Sequence, residues 1–468
     1  MISFKNISFS YDKNKNVLED VNLEIPRGEV VLFCGESGCG KTTISRLING
    51  LIPHYYEGEL HGEVLVDGKN VRETQLYDLS ASVGSVFQNP RSQFFSVDTT
   101  SELVFGCENQ TMPREEILSR MDLVVKEYEM EHLMGRSIFG LSGGEKQKLA
   151  CAGVSMLSPD IVVLDEPTSN LDGEGIQMLK DVLIRWKKEG KTIVIAEHRL
   201  WFLKGNVDRV IYLKEGWIRE CFGGDEFFRQ PKSFYRERGL RSVTLEHPCL
   251  GKVTKNGEKM ILENVSYRYN KKREVLSIPR VELPLGKVIA VVGRNGAGKS
   301  TFVQCMCGLL KNDKSILTIR DQKYSRKKRI SLCFPVMQDV NHQLFTESVV
   351  DEVLLSMENE REEEARNYLK DMDLLEYKDA HPMALSGGQK QRLAIASALA
   401  SEREILIFDE PTSGLDLGHM EQVAKSISYL KEKGKTVIIV THDTELVASC
   451  CDLCIRMEDG HLEEDYGA

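Results

Sequence analysis

The stretch GESGCGKTT at 35–43 returns as GRNGAGKST at 293–301, and it is one of a series of such returns. VFQNPRSQFF (86–95) is answered by VMQDVNHQLF (336–345), and LSGGEKQKLA (141–150) by LSGGQKQRLA (385–394). IVVLDEPTSNLD (161–172) comes back as ILIFDEPTSGLD (405–416), and KTIVIAEH (191–198) as KTVIIVTH (435–442). Order is the same in both series. Lys41 and Lys299 lie 258 positions apart (299 − 41), as do Tyr11 and Tyr269, whereas Ser142/Ser386, Asp165/Asp409, Glu166/Glu410 and His198/His442 lie 244 apart. The contraction of 14 residues (258 − 244) falls between Lys299 and Ser386, where surface loops tolerate deletion. Such a chain folds as two copies of one domain, and at 468 residues each copy can bury its own core. We place the first copy at 1–240, a linker at 241–258 and the second copy at 259–468. The linker, RSVTLEHPCLGKVTKNGE, is polar, carries Pro and Gly, and has no hydrophobic period.

Composition narrows the class. Hydrophobic residues make up 41 % and charged residues 28 %, as in globular proteins. The net charge of −10 argues against nucleic acid as a partner, because phosphate backbones call for a basic face. Arg326, Lys327, Lys328 and Arg329 form the strongest basic run, which reads as solvated surface. No segment reaches the ~20 apolar residues of a membrane span, and the N-terminus has no signal-type apolar region. A membrane role would therefore act through a partner. Twelve cysteines without a disulfide-framework spacing point to a reducing cytoplasm. Cys451 and Cys454 form a CxxC, but their counterparts are Val207 and Val210, and Cys39 stands opposite Ala297. These thiols read as small hydrophobes.

The chemistry lies in the paired motifs. VVLFC before Gly35 and VIAVV before Gly293 are apolar runs of strand type, each followed by a glycine-rich loop and a helical pattern. Such a loop turns successive backbone N–H groups toward phosphate oxygens at a helix N-terminus. Gly35, Ser37, Gly38, Cys39, Gly40, Lys41, Thr42 and Thr43 are expected to cradle phosphates in the first copy. Gly293, Asn295, Gly296, Ala297, Gly298, Lys299, Ser300 and Thr301 are expected to do so in the second. Lys41 and Lys299 would reach the β- and γ-phosphates, and the Thr42 and Ser300 hydroxyls would ligate Mg²⁺. IVVLDE and ILIFDE read as buried parallel strands ending in two acids. Asp165 and Asp409 would hold the metal shell, and Glu166 and Glu410 would polarise an attacking water. His198 and His442, each after a further apolar strand, are placed to contact the γ-phosphate.

This set, together with Gln88/Gln338, LSGG and SNLD/SGLD, resembles the ATP-binding cassette (ABC) ATPase twice over, across nearly the whole chain. The resemblance implies two tandem α/β P-loop cassettes, each with a helical subdomain (near 99–150 and 346–394), folded head-to-tail. ATP and Mg²⁺ are the implied ligands. It places Gln88 and Gln338 at the metal and the reacting water, and Tyr11 and Tyr269 against adenine. Asp172 and Asp416 match the family's interface loop. It also explains LSGG, a motif with no general base of its own. Ser386, Gly387 and Gly388 would cap ATP bound at Lys41, and Ser142, Gly143 and Gly144 would cap ATP bound at Lys299.

The form QNPRSQFF, with TTSELVFGCEN and AEHRL, further resembles the ATPases of energy-coupling-factor importers of vitamins or metal ions. That resemblance implies a peripheral protein at the cytoplasmic membrane face, partnered by a transmembrane scaffold subunit and a substrate-binding membrane subunit, without nucleic acid. Gln93-Phe94-Phe95 and Gln343-Leu344-Phe345 are expected to form the docking groove. Asp339-Val340 departs from the Asn-Pro of the first copy. The alternatives are a soluble tandem ABC ATPase acting on ribosomes or nucleic acid, and the ATPase of an exporter. A linker of this length is short for the former.

Overall fold

Two compact units make up the computed structural model, which describes residues 1–12, 16–169, 171–245, 257–269, 274–337 and 340–463. The first unit comprises Met1–Thr244 with Gly414–Gly418, and the second Leu245–Ser413 with His419–Ala468. Most of the proposed linker lies outside the described residues.

The first unit is built on a six-stranded sheet in the order Trp217–Gly223, Arg209–Lys214, Val30–Cys34, Thr192–Ala196, Ile161–Asp165, Val83–Val86. All neighbours are parallel except the first pair. VVLFC and TIVIA are buried at every position and IVVLD at all but its last, as strands covered on both faces must be. A four-stranded antiparallel sheet, Leu18–Ile25, Ile2–Ser10, Glu59–Val66 and Lys69–Asn70, covers one side. The helices Thr99–Asn109, Arg114–Glu127 and Gly143–Leu157 supply a helical part. Leu103, Ile117, Val124 and Leu149 pack its interior. Asp98 starts the first of these helices by accepting the N–H groups of Thr100 and Ser101, both at 3.0 Å.

The second unit has the same plan. Its large sheet runs Cys333–Val336, Ile405–Asp409, Thr436–Val440, Val288–Val292, Leu453–Glu458, His461–Leu462. The helical part consists of Val349–Ser356, Glu362–Asp371 and Gly387–Ala400. In both units the phosphate loop, the acidic pair and the histidine follow the C-terminal ends of adjacent parallel strands, where open α/β sheets bind ligands.

One charge assignment is corrected. Arg329 is not solvated surface: it is fully buried, as is Asp313 beside it. Its Nη2 donates to Asp313 Oδ2 at 2.5 Å and its Nη1 to Ser315 Oγ at 2.7 Å, while Asp313 Oδ1 accepts the Ser315 N–H and hydroxyl. The run occupies a short helix, Arg326–Arg329, whose last side chain turns inward. Lys327 and Lys328 of the same run remain exposed. Removing one partner strands a buried charge, whereas removing both relieves the desolvation cost. Arg329→Met is therefore expected to destabilise the second unit by about 3–5 kcal/mol. Arg329→Met with Asp313→Leu should recover most of that loss, as measured by urea denaturation.

Candidate functional site

Backbone geometry sets the phosphate loops. Gly35 and Gly293 have φ of 151° and 146°, and a Cβ at either would lie 2.2 Å from a carbonyl oxygen, of Leu213 or Met457. Only glycine fits there. Lys41, 4 % exposed, curls over its own loop and donates to the carbonyls of Gly35 and Glu36, both at 3.0 Å. Lys299 does the same to Gly293 (2.6 Å) and Arg294 (2.9 Å). Each ammonium is thus held on the concave side of a glycine-rich turn that opens a helix, Lys41–Ile48 or Lys299–Cys307.

The acidic pairs sit beside these loops. Thr42 Oγ1 donates to Asp165 Oδ1 at 3.0 Å, and Ser300 Oγ to Asp409 Oδ2 at 3.4 Å. Burial, and then the neighbouring Glu166 carboxylate, pushes Asp165 up to about 6. Burial likewise raises Asp409. Glu166 and Glu410 both adopt the left-handed region, with φ of 44° and 48°. Glutamate tolerates this poorly, and such strain persists only where the surroundings over-determine it. Here the N–H of each glutamate is tied to the adjacent strand, at Ala196 O or Val440 O, both 2.8 Å.

The remaining groups converge on the glutamates. Gln88 Nε2 donates to Glu166 Oε2 at 2.6 Å. His198 Nε2 is buried, 3.4 Å from Glu166 Oε1 but without hydrogen-bond geometry to it. His442 Nε2 lies 3.1 Å from both Glu410 Oε1 and Asn295 Oδ1. Gln338 lies outside the described residues. Tyr11 takes a hydrogen bond from Arg46 Nη1 (2.9 Å), and its hydroxyl is 3.4 Å from Thr43 Oγ1. Tyr269, 60 % exposed, keeps the corresponding contact with Thr301 at 3.2 Å. Tyr267 packs against its ring edge-on, with centroids 5.0 Å apart.

Ser142 and Ser386 each cap a helix through a reciprocal box. The Ser142 oxygen accepts the Glu145 N–H (3.2 Å), and Glu145 Oε2 accepts the Ser142 N–H (2.7 Å). Gln389 plays the same part for Ser386. Because each serine oxygen acts as an acceptor in its cap, its O–H is left to donate outward. Among the described residues, no hydrogen bond joins Ser142–Gly144 to the phosphate loop of the first unit, nor Ser386–Gly388 to that of the second. Asp416, grouped with the first unit, accepts the Ser37 N–H at 2.6 Å.

These residues fit Mg²⁺ and ATP. A buried carboxyl, Asp165, whose ionisation burial opposes, is suited to a divalent cation, and His198 Nε2 is a buried nitrogen without a hydrogen-bond partner. Thr42, Asp165 and Gln88 in the first unit, and Ser300 and Asp409 in the second, would hold the metal. Bound Mg²⁺ would supply neutralisation of phosphate charge.

The segments after the glutamines differ from expectation in detail. Gln93 does not offer its amide to a partner: its Oε1 accepts the Phe87 N–H (3.3 Å) and its Nε2 donates to Ser85 O (3.0 Å). Gln343 braces Met337 and Pro335 in the same way. Leu344 is buried and so is no surface anchor, while Phe94 is half-buried against the core. Phe95 and Phe345, however, are 76 % and 70 % exposed. Glu102, which sequence reasoning missed, pins this stretch by accepting the N–H groups of Phe95 and Ser96 (2.9 and 2.7 Å). Glu352 does so for Phe345 and Thr346 (3.0 and 3.1 Å). The available signal was spacing: 352 − 102 equals 338 − 88, both 250.

Comparison with known proteins agrees with this geometry. A family model described as ABC transporter matches residues 18–169 and 276–413. A Treponema denticola protein named as a candidate ABC transporter ATP-binding protein is 43 % identical over 474 residues, covering 99 % of this chain and 97 % of its own. A similarly named Methanosarcina mazei protein is 33 % identical over 99 % of this chain and 88 % of its own. Among solved structures, the model of ribosome-bound archaeal Pelota and ABCE1 contains a chain similar in fold. It has a TM-score of 0.66 at 22 % identity, covering 97 % of this chain and 77 % of that one.

The raised Asp165 carboxyl gives a test. Its pKa in the fold, about 6, exceeds the ordinary carboxyl value of 3.8, so ionisation weakens the ligand-free fold as pH rises through this window. Asp165→Asn should therefore melt higher than wild type without ligand, with a larger gap at pH 7.5 than at pH 5. The full effect is on the order of 2–3 kcal/mol. Adding Mg-ATP should stabilise wild type more than Asp165→Asn, which keeps the second site of Lys299, Ser300 and Asp409, as read by thermal melts.

Proposed function

We propose, from the premise that the chain belongs to the ABC transporter family, that it is the energy-coupling subunit of a membrane importer of the energy-coupling-factor type. It is an ABC ATPase with two tandem cassettes, and it hydrolyses ATP. In this reading a transmembrane scaffold subunit receives the work of hydrolysis, and a small membrane subunit brings a vitamin or metal ion. The protein sits at the cytoplasmic membrane face and no nucleic acid takes part. Among the described residues no helix is long and apolar enough to cross a membrane. The contact with the scaffold then carries the coupling.

The exposure of Phe95 and Phe345 carries this reading. Phe95 follows a segment that begins at Gln88, which donates to Glu166, and both Phe95 and Phe345 have their backbone held by a glutamate of the helical part. A rigidly presented aromatic side chain is the kind of anchor that dominates docking of a short helix. Movement of Gln88 against Glu166 would reach Phe95 through the braced turn at Gln93.

The two Mg-ATP sites are composite in this reading. Ser386, Gly387 and Gly388 cap nucleotide at Lys41, and Ser142, Gly143 and Gly144 cap nucleotide at Lys299. The hydroxyl hydrogen of each capped serine, which its own capping box does not use, supports this arrangement. Tyr11 and Tyr269 stack on the base, Glu166 and Glu410 orient water, and His198 and His442 face the γ-phosphate. Contacts available only with nucleotide between the copies favour closure, and hydrolysis releases it.

Phe95→Asp with Phe345→Asp should abolish co-purification with the scaffold subunit while leaving Mg-ATP binding and the melting temperature within about 2 °C of wild type, since surface changes cost little. Continued assembly of this folded variant would place the docking groove elsewhere. For the composite sites, Ser37→Cys with Ser386→Cys in a cysteine-depleted chain should crosslink within one chain when ATP is bound. Crosslinks found only between chains would instead mean that two molecules exchange halves.

A further inference from the structure

We infer that Glu197 is a positioning residue for the first site, doing from the position before the histidine what Asp443 does in the second repeat from the position after it. Glu197 follows the strand Thr192–Ala196 and is 3 % exposed. Its Oε1 accepts the N–H groups of His198 (2.7 Å) and Arg199 (3.0 Å). Its Oε2 accepts the N–H (3.2 Å) and the hydroxyl (2.7 Å) of Thr168. Thr168 stands two residues beyond Glu166. One carboxylate thus binds the backbone of His198 to the turn that carries Glu166.

The second repeat has no acid before its histidine, where Thr441 stands. Instead Asp443 accepts the hydroxyl of Thr412, also at 2.7 Å, together with the N–H groups of Glu445 and Leu446. Thr412 is the counterpart of Thr168 (412 − 168 = 244), whereas the two acids are 246 apart (443 − 197). Different positions therefore send a carboxylate to the same hydroxyl. What the repeats share is the tie, not the residue that makes it. In the first repeat the counterpart of Asp443 is Arg199, whose Nη1 donates to the carbonyls of Thr168 (3.4 Å) and Leu171 (3.2 Å).

The tie has a mechanical purpose. Glu166 is held at a φ that its side chain disfavours, 3.4 Å from His198 Nε2, and neither feature survives unless the turn is anchored from outside. Glu197 acts through these two residues and not on nucleotide. Supports of this kind set the precision of a catalytic group.

The inference rests on the catalytic reading of Glu166 and His198 proposed above, and its test separates the two. Steady-state ATPase and melting are measured on the full chain. Glu197→Thr should lower kcat by about tenfold or more while KM for ATP stays within about twofold. Adding Arg199→Asp, which reproduces the arrangement of the second repeat, should bring kcat back to within about threefold of wild type. Should Glu197→Thr not fold, Thr168→Val reads the same tie: it should lower kcat with KM unchanged, and Thr168→Ser should not. Wild-type turnover in Glu197→Thr or Thr168→Val overturns the inference, as does a folded double variant no faster than Glu197→Thr. Glu166→Gln is the control. If it too turns over like wild type, the catalytic reading fails. If it alone is slow, only the role of Glu197 falls.

Discussion

The bond from Thr42 Oγ1 to Asp165 Oδ1 joins residues 123 positions apart, and much of the first unit exists to make it short. One partner opens the helix after the phosphate loop, and the other ends a strand two places across the sheet. Parallel strands bring them together because their C-terminal ends share one edge, and apolar residues on both faces keep the strands in register. The cost is a carboxylate buried beside another carboxylate. A divalent cation offsets it, so the site is least comfortable when empty. The same hydroxyl-to-acid pairing recurs in the second unit between Ser300 and Asp409.

Strain follows the same logic. Glu166 and Glu410 leave their strands through a left-handed turn, and their carboxylates lie beside His198 and His442. Backbone bonds to the neighbouring strand, the glutamine amide at Glu166 and the tie to the threonine of each turn make this conformation stable. Function here depends on a set of bonds that surround the glutamate more than on the glutamate alone.

Much of this was legible in the sequence because the chain is its own comparison. Loops, acids, histidines and capped serines recur at two spacings, 258 and 244, and chance does not place so many polar residues in one order twice. Spacing does not report where a side chain points, and the errors come from there. Arg329 ends a basic run yet turns inward to Asp313. Gln93 and Gln343 read as recognition amides but bond the backbone behind them. Leu344 read as a surface anchor and is core, while Phe345 beside it is not. Glu197 escaped notice because its functional counterpart is out of register by two positions, which motif alignment treats as unrelated.

That shift of two positions constrains how the repeats can have diverged. If both descend from one ancestral copy, at least one has moved its carboxylate across the histidine. A single substitution cannot make that move. One route passes through a chain with no acid on either side, in which the threonine hydroxyl and the histidine turn are released together. The other passes through a chain with both acids, two like charges crowded against one hydroxyl in a dry interior. The second route keeps an anchor at every step and pays in stability, so it is open only to a fold with stability to spare. The two halves are thus not interchangeable parts. A recombination that splits the histidine segment produces one of these two intermediates, and the breakpoints that preserve activity are those that carry the three residues as a block.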